Sequence, residues 1–101
     1  MVKIEYVVIK DEGRVSITPD MSESEIRIKA LCVSDSGELG YFDNLTEARC
    51  MLRELRNKII RHGNYADAVV YWIKEIHTVE DKEDNFVCSE IKCTDIAKWE
   101  D

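Results

Sequence analysis

The stretch NLTEARCMLRELRNKIIRHG, residues 44–63, decides how this chain is read. Asn44-Leu45-Thr46-Glu47 has the form of a capping box, an Asn cap followed three residues on by a Glu that can reach back to the cap's N–H. Leu45, Ala48, Leu52, Leu55 and Ile59 then recur at spacings of three and four, the period of one helix face. His62 stands where a helix C-terminus favours partial positive charge, and Gly63 supplies a left-handed terminator. The spacing therefore predicts one main helix over about residues 45–62.

Outward from that helix the chain reads as strands. Val2 to Lys10 is dominated by β-branched and aromatic residues in loose alternation, so it reads as a strand. Asp11-Glu12-Gly13 reads as a turn, and Arg14 to Thr18 as a short strand folding back. Pro19 to Ser24 reads as a polar loop. Glu25 to Ser34 alternates again, with Ile26, Ile28, Ala30 and Cys32 on one side. After Asp35-Ser36-Gly37, Leu39 to Phe42 returns as a second hairpin. Beyond the helix, Ala68 to Glu80 is the richest β segment, and Phe86 to Cys93 pairs antiparallel to it. Thr94 opens a short final helix or a tail carrying Ile96 and Trp99. The expected fold class is α+β: an antiparallel sheet of about five or six strands, made of β-hairpins, on one main helix.

The chain's 101 residues, 45 % hydrophobic and 35 % charged, suit a single domain with a core. No apolar run approaches the roughly 18 residues that span a bilayer, and no signal segment opens the chain, so a cytoplasmic, non-membrane protein is expected. The net charge of −7 opposes phosphate backbones and argues against nucleic acid as a partner. It suits another protein with a basic surface. Cys32, Cys50, Cys88 and Cys93 lack the spacing of a zinc site and read as free thiols, and no metal or cofactor is expected. Cys32 and Cys93 read as small core residues and Cys50 as exposed.

Two charged groups compete as a binding site. Glu80, Asp81, Glu83 and Asp84, interrupted only by Lys82, place an acidic row at a hairpin tip. Such a row can imitate spaced phosphates and fill the basic groove of a nucleic-acid-handling protein. The alternative is Arg49, Arg53 and Arg56, which fall along one flank of the expected helix and offer forked donors to phosphate. Tyr71 and Trp72 are candidate interface aromatics. Glu75 and His77 share a strand face, where a carboxylate can orient an imidazole, but no nucleophile motif accompanies them.

No glycine-rich phosphate loop, G-x-S-x-G or H-E-x-x-H pattern is present, so no enzymatic activity is expected. A short acidic chain of hairpins about one helix has the general look of small bacterial or phage proteins. The expected function is thus a protein-interaction module, in its sharpest form a phage- or mobile-element-type inhibitor of a basic partner. A homodimer is expected because one helix cannot cover so wide a sheet.

Overall fold

The computed structural model of the chain describes residues 2–80 and 86–100. Its central strand is β4 (Tyr65–Glu80), where the β-branched and aromatic run Val69-Val70-Tyr71-Trp72-Ile73 favours a pleated, two-sided burial. Strand β1 (Val2–Ser16) pairs antiparallel along one side of β4 from Val2↔Val79 to Ser16↔Tyr65. On the other side, β3 (Arg56–Arg61) takes the first part of β4 and β5 (Phe86–Ile96) the second, both antiparallel. Strand β2 (Asp35–Phe42) pairs antiparallel with β1, and the two-residue β6 (Lys98–Trp99) runs parallel to β3. The α+β class is therefore as expected, with a sheet that is mostly antiparallel and closes on one short parallel pair.

Two helices, one on each face, replace the single one expected. Helix α1 (Glu23–Ala30) packs Ile26 and Ala30 against Ala66, Ala68 and Val70, with Trp72 and Trp99 alongside. Helix α2 (Leu45–Arg53) packs Ala48 and Leu52 against Val8, Ile73 and Ala97, with Tyr71 alongside. Neighbouring residues of β4 thus feed opposite layers, as strand alternation requires.

The expected helix over 45–62 is overturned after its first half. Asn44 does cap it, accepting from Glu47 N at 2.8 Å. The helix ends at Arg53, and residues 56–61 are the strand β3. The apolar stripe misled because Ile59 belongs to the α1 layer, whereas Ala48 and Leu52 belong to the α2 layer. Gly63, at φ 80°, and His62 do not end a helix: His62 N donates to Tyr65 O at 2.9 Å in the tight turn from β3 to β4. There the left-handed glycine suits a hairpin as well as it suits a helix end.

Of residues 25–34, expected as a strand, 25–30 lie in α1 and 31–34 lead out of it. Its signal is Ser22-Glu23-Ser24-Glu25, in which Ser22 Oγ accepts from Glu25 N at 3.2 Å. Ile28, assigned with Ile26 to one strand face, is 66 % exposed, whereas Ile26 and Ala30, four apart, are buried. The hairpin expected at Asp11-Glu12-Gly13 is absent, since β1 runs straight through. Asp11 is buried there, accepting from Trp72 Nε1 at 2.7 Å and from Ser36 Oγ. Gly13 passes under Val33, whose side chain would lie 3.3 Å from an added Cβ. At the C-terminus the short helix expected from Thr94 is replaced by the end of β5 and by β6. Cys32 and Cys93, expected in the core, are exposed, as is Cys50.

The molecule is long, 56 × 25 × 18 Å, with a radius of gyration of 16.3 Å. A compact chain of this length has a radius near 13 Å. The excess comes from β1 and β4, which stay paired well beyond the helices. Among the described residues, no helix is long and apolar enough to cross a membrane.

Candidate anion-binding cleft

The last turns of α2 present Arg49 and Arg53, and the chain presents Arg56 as it leaves the helix for β3. Opposite them runs the end of β5 and the start of β6, Asp95 to Lys98. Between the two lies a cleft of about 240 Å³ lined by Arg49, Arg53, Arg56, Lys98, Asp95 and the apolar Leu52, Ile96 and Ala97. Leu52 and Ala97 are core residues, so the floor is rigid, while the charged groups stand at the rim.

Each cation is held differently. Arg49 Nε meets Asp95 Oδ2 at 2.5 Å, and this carboxylate holds the guanidinium still more firmly protonated than usual. Arg56 Nη1 donates to Arg53 O at 2.6 Å, a carbonyl left over at the helix end, and to Leu55 O at 2.8 Å just past it. The Arg53 guanidinium and the Lys98 ammonium have no side-chain partner among the described residues. Four cationic side chains therefore face one carboxylate, in a chain whose net charge is −7. A tetrahedral or planar anion can meet Arg53 and Lys98 without breaking the Arg49–Asp95 pair.

The structure thus brings together Arg49, Arg53 and Arg56, though not along one helix flank. Lys98 and Asp95 were not singled out from the sequence. They join through the parallel pairing Arg56↔Lys98, a contact between distant parts of the chain that no local pattern announces.

The other expected site residues are dispersed. Tyr71 and Trp72 are half-buried on opposite faces, Tyr71 beside α2 and Trp72 bonded to Asp11. Glu80 ends β4, its side chain outside what is described, and Asp81, Glu83 and Asp84 lie outside the described residues. Glu75 and His77 do share a face and touch: His77 Nε2 lies 2.6 Å from Glu75 Oε2, with Lys92 Nζ at 3.1 Å from the same oxygen. Glu75 is only 8 % exposed, and the His77 and Lys92 contacts hold its carboxyl below the usual carboxylate range. On the α1 face, a second hollow of about 350 Å³ is lined by Leu31, Val70, Trp72, Cys93, Ile96 and the already bonded Asp11. Among the described residues no three His, Cys, Asp or Glu side chains converge as metal ligands.

Set against protein-family models, curated proteins and solved structures, the chain matches none of them.

Proposed function

We propose that this chain is a non-enzymatic binding module that takes a small phosphorylated or otherwise anionic ligand in the cleft between α2 and β6. The observation that carries this reading is the gathering of Arg49, Arg53, Arg56 and Lys98 about one carboxylate in a chain otherwise rich in acid. Arg53 and Lys98 supply the contacts, Arg49 and Arg56 the surrounding positive field, and Leu52 and Ala97 a dry floor. A small ligand suits the cleft better than a nucleic acid, because the net charge of −7 repels a long polyanion while leaving a local pocket attractive.

Calorimetric titration with inorganic phosphate and with pyrophosphate tests it. Saturable pyrophosphate binding is expected, weakening with added salt and at least tenfold in Arg53→Ala or Lys98→Ala, on the order of one good charge-assisted contact. No saturable binding at millimolar pyrophosphate overturns the reading. A gel-shift with a short single-stranded oligonucleotide at low salt is expected to show none.

A second reading keeps the acidic run as the contact with a basic, nucleic-acid-handling protein. In its favour, the run separates the ends of β4 and β5, while α1 packs on Ala66 to Val70 at the other end of β4. Reversing Asp81, Glu83 and Asp84 to Lys abolishes binding to such a partner if this reading holds. Unchanged affinity with a flat salt response removes it.

A further inference from the structure

Strand β5 pairs only with β4, so among the described residues its outer edge presents unpaired backbone groups. Its register on β4 is unbroken from Cys88↔Val79 to Cys93↔Lys74, which leaves a straight edge. An open edge of this kind is a template for another strand. We propose that its occupant is the same edge of a second copy, paired antiparallel about a two-fold axis that passes through Ile91.

The charges select the second copy and the register. A two-fold perpendicular to the sheet keeps each face on its own side, so directly opposed residues have numbers with an even sum. Centring the axis on Glu90 sets carboxylate against carboxylate, and centring it on Lys92 sets ammonium against ammonium. Centring it on Ile91 sets Glu90 opposite the Lys92 of the second copy, and the reverse, so two opposite-charge pairs form on one face. On the other face the two Ile91 side chains meet, and Ile91 is 57 % exposed in the single chain. Lys92 keeps Glu75 as a neighbour, at 3.1 Å, so its ammonium is already held on the face where the second copy's Glu90 arrives. The opposite edge of the sheet, β2, lacks this self-complementarity. It carries Asp35 and Glu38 with no cation.

Sedimentation equilibrium of the full chain over about 1 µM to about 1 mM tests the proposal. A reversible monomer–dimer equilibrium is expected. Glu90→Lys sets cation against cation and is expected to weaken the dimer at least tenfold. Adding Lys92→Glu restores opposite charges in the same register, and the double variant is expected to recover dimerisation. Ile91→Lys places two ammonium groups on the axis at an exposed position, and is expected to be a folded monomer by circular dichroism. A chain that stays monomeric at every concentration leaves the edge to some other partner and overturns the proposal. So does a dimer that Glu90→Lys and Ile91→Lys leave intact, or a folded double variant that fails to recover. If the double variant does not fold, the Ile91→Lys result decides.

Discussion

The side-chain amide of Asn57 stands in for a strand beside Tyr71. Its Oδ1 accepts from Tyr71 N at 2.6 Å, and its Nδ2 donates to Ala97 O at 2.9 Å. Along that flank of β4, β3 pairs as far as Val69 and β5 only from Trp72 onward, so the backbone between them lacks a full strand partner. Asn57 fills the gap while its own backbone accepts from Glu100 N at 2.7 Å, tying β6 to β3. Its exposure is 0 %, tolerable for an amide only because both ends are satisfied. The cationic cleft depends on this join, because β6 brings Lys98 to Arg56.

Replacing Asn57 by Ala is therefore expected to strand the Tyr71 N–H and the Ala97 carbonyl away from water. A loss of about 2–6 kcal/mol in urea unfolding is expected, at one to three for each of the two unsatisfied buried groups. A loss below about 0.5 kcal/mol, the ordinary surface range, contradicts the role given to this side chain.

Gly63 tests the β3–β4 turn with no packing term to confuse it. Its φ is 80°, and nothing lies within 4 Å of an added Cβ. Gly63→Ala should cost about 1–2 kcal/mol, the strain of a left-handed alanine. Gly63→Asn should cost less, because Asn tolerates that conformation. Thermal melts of the two variants side by side measure the difference, and equal melting temperatures speak against a left-handed residue here.

The Glu75 carboxyl sets an acid limit on stability. Its folded pKa lies below the ordinary 4.5, chiefly through the contact with His77 and then Lys92. A depressed carboxyl stabilises fully above its unfolded pKa, and that contribution disappears as pH falls through the folded value. Its effect is thus constant above about pH 5.5 and fades on acidification below 4.5. Denaturant midpoints measured from pH 7 to pH 2 should fall less steeply in Glu75→Gln than in the parent below pH 4.5, from a lower start at pH 7. Parallel profiles contradict the assignment.

Cysteine labelling separates two exposed thiols. Burial, with Asp95 next in effect, pushes the Cys93 thiol above its ordinary value, reducing its thiolate at neutral pH. Cys50 lies exposed on α2. Mass-resolved alkylation at pH 7 should modify Cys50 faster than Cys93, whose thiolate is the one held down. Equal rates, or a faster Cys93, go against this.

Much of the fold was legible from local pattern. The β-branched run in β4 and the Asn44 cap of α2 both announce themselves, because each is a property of neighbouring residues. Two similar signals serve two structures equally. Ile26, Ile28 and Ala30 alternate like a strand, yet Ile26 and Ala30 also stand one helical turn apart, and the Ser22 cap decides for the helix. Leu52, Leu55 and Ile59 continue a helical stripe, yet Ile59 also follows the buried Asn57 in the inward alternation of β3.

The sequence by itself determined the α+β class, the antiparallel character of the sheet, and the presence of an arginine group after Asn44, because propensity, capping and residue order are local. Only the tertiary structure decided that helix α2 stops at Arg53 and that the two helices lie on opposite faces. It alone decided that Lys98 joins Arg53 and Arg56 around one cleft. These outcomes rest on pairings between residues some 40 positions apart, Asn57 with Ala97 and Arg56 with Lys98. The energy of such contacts is absent until the sheet forms, so it leaves no periodic trace in the chain.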